Sequence, residues 1–240
     1  MKQSLGIALV TLLVAGLAAV QAQQQAPALK LEKVKDNLYV ISESGGNVAV
    51  RVTPEGVILL DDKFERNFNE IMQNVKSVTG MPVKYVINTH QHGDHTGSNV
   101  QFIKTADILA HKNARANIEG QKQGNAAPNM KPARITFTDE TSVFLGGKEV
   151  RARYFGRGHT NGDIFVYFPA LRVLHTGDMI ANLTPLIDYP GGGSATVPLT
   201  ISACTAPAAA APRRPSAVSR LIEPSATAAR FLALSWRNRS

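Results

Sequence analysis

The stretch Asn88-Thr89-His90-Gln91-His92-Gly93-Asp94-His95 decides how this chain is read. It continues Lys84-Tyr85-Val86-Ile87-Asn88, an apolar run that reads as a strand. Side chains alternate along extended backbone, so His90 and His92 project to the same side and can grip one metal ion. Gly93 permits a sharp turn that carries Asp94 and His95 to a neighbouring position. Neutral imidazole and carboxylate suit zinc, and also iron or manganese. A lone histidine is more often a polar core or surface residue than a ligand. Three histidines and an aspartate packed this closely, directly after a buried strand, are hard to explain by structure alone.

Around this cluster the chain alternates strand and helix patterns. Upstream, Leu38–Ile41, Asn47–Val52 and Val57–Leu60 read as strands, with Pro54-Glu55-Gly56 as a turn, and together suggest an antiparallel meander. Phe64 to Val78 reads as an amphipathic helix with Phe64, Phe68, Ile71, Met72 and Val75 on one face; Gly80 and Pro82 end it. Downstream, Asn99–Lys104 and Asn113–Glu119 read as helices around a strand at Ile108–Ala110, and Gln121–Lys131 as a mobile polar loop. A second β region follows at Ala133–Phe137, Ser142–Leu145, Val150–Phe155, Ile164–Phe168 and Arg172–His175, with Gly146-Gly147 as a hairpin turn. The expected architecture is α/β (α+β): two mixed sheets packed face to face, with helices outside.

The ends differ from the body. Met1–Ala22, with one lysine, an apolar run from Leu5 to Val20 and a small-residue close, is laid out like a secretory signal peptide. The run is shorter than a membrane span needs, so no stable anchor is expected after cleavage and the protein is expected to be periplasmic or secreted. Residues 23–32 read as a Gln/Ala/Pro spacer, 33–195 as the domain, and 196–240 as a low-complexity Ala/Pro/Arg/Ser tail in which only Arg230–Trp236 suggests a short helix. Two readings of the tail stay open: disordered chain, or the product of a frameshift in GC-rich coding DNA. The tail holds six arginines and one glutamate, so it supplies +5 of the formal charge of +8. The body, left with +3, shows no basic helix or aromatic ladder, which argues against nucleic acid as a partner. Cys204 is the sole cysteine. An intramolecular disulfide and a cysteine-rich zinc site are both excluded, and any metal must be held by histidine and carboxylate.

The pattern His-x-His-x-Asp-His resembles the signature of the metallo-β-lactamase superfamily. The resemblance extends to a downstream histidine in a glycine-rich loop, Gly158-His159-Thr160-Asn161-Gly162-Asp163. It extends also to an acidic residue after a strand, His175-Thr176-Gly177-Asp178, and to the upstream segments Gly45-Gly46-Asn47 and Leu60-Asp61-Asp62. It covers about residues 33 to 193 and implies an αββα sandwich. Carried over by position, it implies one metal held by His90, His92 and His159, a second held by Asp94 and His95, and Asp178 bridging them. Two zinc ions are the family expectation, with iron as the alternative. The implied activity on a small-molecule substrate is hydrolysis, in which water acidified by the metal to a pKa of about 7 attacks an ester, thioester, lactone or amide carbonyl. Asp94 would orient that water or relay its proton. An aspartate at the bridging position looks more like the glyoxalase II and lactonase branches than the β-lactamases with cysteine there, though β-lactam cleavage stays open. Iron held by His90, His159 and Asp178 would resemble the family's persulfide dioxygenases instead.

One departure stands out. The family normally adds a further histidine near the C-terminus, and none follows His175 in this sequence. The second metal would then have only Asp94, His95 and the shared Asp178, a single metal becomes plausible, and the last strand and helix of the fold are unaccounted for. An impaired zinc-binding remnant is the corresponding non-enzyme reading. Elsewhere, Asp61 or Asp62 is expected either to orient a ligand histidine from behind or to cap a turn. His111 and His175 are expected to be structural, Asp163 to stabilise its own loop, and Arg157 to be a solvated loop charge.

Overall fold

A computed structural model of the protein describes residues 27–120, 129–180, 184–195, 197 and 232–234. The expected signal segment, Cys204, nearly all of the tail and most of the Gln121–Lys131 loop lie outside the described residues.

Two sheets carry the fold. The first has the order β1-β2-β3-β4-β5-β6-β7, comprising Lys30–Lys35, Leu38–Ser42, Val48–Thr53, Gly56–Leu60, Val83–Ile87, Asp107–His111 and Ile135–Phe137. Its first four strands form the antiparallel meander, and β4 to β7 run parallel. The parallel neighbours are reached through helical crossovers: α1 (Phe68–Val78) between β4 and β5, then the short turns α2 (Gly93–Thr96) and α3 (Asn99–Phe102) between β5 and β6, and α4 (Lys112–Glu119) after β6. The second sheet has the order β12-β11-β10-β9-β8, with β8 at Glu140–Leu145, β9 at Lys148–Arg153, β10 at Phe165–Phe168, β11 at Val173–His175 and β12 at Leu232–Leu234.

Strand β4 shows why these layers stack. Its five residues are all buried. Val57 and Leu59 face the helices, packing with Ile71 and Val75 of α1 and Phe102 of α3. Ile58 and Leu60 face the other way, against Val150, Val166 and Val173 of the second sheet. A strand covered on both faces must be apolar throughout, and Gly-Val-Ile-Leu-Leu is. On the outer face of the second sheet Phe165 and Met179 begin a smaller cluster with Val197.

Three expectations need correction. The spacer was placed through residue 32, but β1 starts at Lys30. A bulge between Lys33 and Lys35 breaks the alternation of this edge strand, so Leu31 and Val34 turn to opposite cores three residues apart and mask the strand pattern. The helix expected from Phe64 begins as a 3-10 turn at Glu65–Asn67 and becomes α-helical at Phe68. Finally, within the short helix suggested at Arg230–Trp236, Leu232–Leu234 form a strand that pairs in parallel with β11.

Because Ile58 is fully enclosed between the sheets, Ile58→Ala should lower unfolding stability by about 2–5 kcal/mol. Denaturant unfolding followed by circular dichroism checks this.

Candidate metal centre

The register of the first sheet sets up the site. Leu60 of β4 lies opposite Ile87 of β5, so Asp61 and the His90 loop emerge side by side. Asp61 takes left-handed backbone, φ 61°, and its amide donates to Ile87 O at 2.9 Å. Its buried carboxylate then accepts from Thr89 N at 2.7 Å and Thr89 Oγ1 at 2.8 Å, and it faces His95 Nδ1 at 2.7 Å. From the second sheet, the loop after β9 brings His159 and the turn after β11 brings Asp178. The backbone amide of Ile164 donates to Thr89 O at 3.0 Å and ties the two halves together.

Each imidazole is oriented from behind. Thr89 commits its hydroxyl proton to Asp61, so it accepts from His90 Nδ1–H at 3.0 Å. His92 Nε2–H donates to Asp188 Oδ2 at 2.9 Å. His95 Nδ1–H donates to Asp61, and His159 Nδ1–H to the carbonyl of Leu186 at 3.2 Å. For His90, His92 and His159 these partners fix the tautomer and leave a lone pair on the other ring nitrogen. The consequence is a test of fit. His92 Nδ1 lies 3.1 Å from His90 Nε2 and 3.0 Å from His159 Nε2, so three lone pairs converge where only a cation relieves their repulsion.

Next to this trio, His95 Nε2 lies 3.2 Å from Asp178 Oδ1 and 3.6 Å from Asp94 Oδ2, and Asp178 Oδ2 lies 3.8 Å from His159 Nε2. His95 Nε2 and Asp178 Oδ1 are both buried without a hydrogen bond of acceptable geometry. Two groups could therefore hold a metal: His90, His92, His159 and Asp178, and then Asp94, His95 and Asp178. Nitrogen and carboxylate oxygen donors of this kind fit a zinc-like ion.

Electrostatics agree with that demand for positive charge. Burial, and then the neighbouring imidazoles, hold His90 well below the ordinary histidine value. Burial also brings His159 down to about 4, despite Asp178. Burial opposes charge on His95 as well, but Asp178, Asp94 and Asp61 outweigh it and hold its pKa well above the usual range. Burial acts to raise Asp178, yet His95 and the other imidazoles bring it down to about 2. The centre opens on a cavity of about 300 Å³ bordered by His92, Asp94, His159 and Asp178 on one side and Leu186, Ile187 and Asp188 on the other.

Comparison with known proteins places this geometry. The profile of the Metallo-beta-lactamase superfamily matches residues 43–209. The chain belongs to the metallo-beta-lactamase superfamily. It is 30% identical over 167 residues to a metallo-beta-lactamase type 2 of Elizabethkingia meningoseptica, covering 65% of this chain and 64% of that relative. It is 28% identical to the metallo-beta-lactamase IND-1 of Chryseobacterium indologenes, covering 75% of each chain. The fold is similar to a crystal structure of the DIM-1 metallo-beta-lactamase exposed to ceftazidime, with TM-score 0.61, 19% identity and coverage of 75% of this chain and 84% of that one.

Within this superfamily member, the structure brings His90, His92, Asp94, His95, His159 and Asp178 together. Asp61 stands behind His95, whereas Asp62 caps a turn instead, accepting from Ser98 N at 3.0 Å. His111 accepts from Asn113 N, contacts Thr138 O and stacks on Tyr154, and His175 Nδ1 accepts from Gly177 N. Arg157 donates to the carbonyls of Gly192 and Gly193. Sequence reasoning missed Asp188, whose contact with His92 spans 96 positions, and Lys63. Lys63 is wholly buried, and burial pushes its amine down to about 8 against the pull of Asp94, Asp61 and Glu43.

Asp163 sits one turn from His159, accepting from Thr160 N and Thr160 Oγ1. Burial raises its pKa from 3.8 to about 7. The raised value means that its favourable contribution is complete below the unfolded pKa and is lost as pH rises through about 7. The stability of metal-free wild type relative to Asp163→Asn should therefore fall between pH 4 and pH 7, by up to about 4 kcal/mol. Urea titrations of both proteins across that range check this.

Proposed function

We infer that this superfamily member is a zinc-dependent hydrolase acting on the carbonyl of a small ester, thioester, lactone or amide, β-lactams included. The observation that carries the reading is the convergence of imidazole lone pairs and carboxylates on one cavity, with the second nitrogen of every ring already engaged. His90, His92 and His159 would hold one ion and Asp94 and His95 a second, with Asp178 shared. Zinc in such a site supplies Lewis-acid polarisation of the carbonyl and acidification of water. Asp94 borders the cavity with Oδ2 held by Gly46 N–H at 3.0 Å, where its carboxylate would orient the attacking water and take up its proton. Leu186 and Ile187 would receive the apolar part of the acyl group. Export to the periplasm or the exterior rests on residues 1–22; among the described residues no helix is long and apolar enough to cross a membrane.

Protein purified without added metal should contain about two zinc ions per chain by elemental analysis. Chelation should abolish turnover of a neutral ester, thioester or lactone panel assayed beside a β-lactam, and zinc should restore it. His90→Ala should lower the metal content; an unchanged content would refute the ligand assignment. Iron in place of zinc, with oxygen consumption, would replace hydrolysis by dioxygenase chemistry. Asp188→Asn, which weakens the support of His92, should reduce zinc affinity about tenfold or more, read by competition with a chromophoric chelator.

A further inference from the structure

Lysine is rarely buried outright, because its amine must find partners when it leaves water. Lys63 is 0% exposed, and its Nζ donates to two main-chain carbonyls, Glu43 O and Gly46 O, each at 2.5 Å. Those carbonyls bracket the turn between β2 and β3. That turn is built from left-handed residues, with φ 69° at Glu43, 53° at Ser44 and 93° at Gly45. The ammonium group spans the two ends of that turn. At its other end, the main chain of Lys63 accepts from Ser98 N at 3.2 Å, and the adjacent Asp62 N donates to His95 O at 3.0 Å. Lys63 thus joins the β2–β3 turn to the segment that carries Asp94 and His95.

The turn presses directly on those two side chains. Gly46 N donates to Asp94 Oδ2 at 3.0 Å. A Cβ on Gly46 would stand 2.2 Å from His95 Cε1, and a Cβ on Gly45 would stand 2.6 Å from Asp94 Cβ. These hydrogen bonds and close approaches fall on Asp94 and His95. A shift of the turn would therefore act first on the Asp94 and His95 side of the centre and reach the three-histidine side only through them, chiefly through the His95 ring, 4.1 Å from that of His90.

We propose that Lys63 is a positioning residue that clamps the Glu43–Gly46 turn and thereby sets the affinity of the Asp94–His95–Asp178 metal position far more than that of the His90–His92–His159 position. The proposal rests on the two-metal reading of the centre. Its signature is a change in the ratio of two affinities, which a general loss of stability does not produce.

The test is a zinc titration of the metal-free full chain against a chromophoric chelator, for wild type, Lys63→Met and Lys63→Gln. Lys63→Met removes both donors, and Lys63→Gln keeps one amide donor on a shorter stem and covers the case in which Lys63→Met does not fold. The second zinc equivalent should weaken at least about tenfold, while the first stays within about twofold of wild type. Equal affinities in variant and wild type overturn the proposal, and so does a parallel weakening of both equivalents. A wild-type chain that binds a single zinc also overturns it but leaves a metal centre standing. A wild-type chain that binds none removes the metal reading itself.

Discussion

The carboxylate of Asp61 is the contact on which the centre depends. It takes three polar partners away from bulk solvent: the amide and hydroxyl of Thr89 and the ring of His95. A buried carboxylate with fewer partners would be costly, and one with these three fixes three elements at once. It holds the end of β4 against the loop after β5, sets the Thr89 hydroxyl so that it can accept from His90, and fixes the ring of His95. Left-handed backbone at Asp61 is what turns the side chain to this point instead of letting β4 run on.

The remaining supports come from different parts of the chain, yet obey one rule. Every ring has a partner on the nitrogen away from the cavity, whether a hydroxyl, a carbonyl or a carboxylate. The donors facing the cavity therefore need no rearrangement to meet a cation. Preorganisation of this kind is dictated by hydrogen-bond inventory more than by shape, since neutral imidazole has one donor and one acceptor to distribute.

How much of this is legible in the sequence depends on distance along the chain. The cluster from His90 to His95 is legible because its spacing alone puts the rings on one side of a strand end. The two-sheet layering is legible at β4, where apolar residues on both faces demand two covers. Asp188 is not legible, because nothing near it in sequence signals a partner 96 positions away. Lys63 is hidden by its own chemistry: a lysine beside two aspartates reads as solvated charge. Asp61 and Asp62 cannot be told apart by composition, and only the left-handed turn sends one to His95 and the other to Ser98. β1 is hidden by its bulge, and Leu232–Leu234, whose residues favour helix by propensity, are recruited as a strand by the free edge of β11.

The donors are divided between the sheets. His90, His92, Asp94 and His95 follow β5 of the first sheet, while His159 and Asp178 follow β9 and β11 of the second. An ion shared between them would act as a cross-link at one rim of the sandwich, adding to the apolar contacts that hold the layers together. Its binding free energy would then count as sheet–sheet cohesion. The supply of metal would govern how firmly the two halves of the protein stay closed, as well as what chemistry takes place between them.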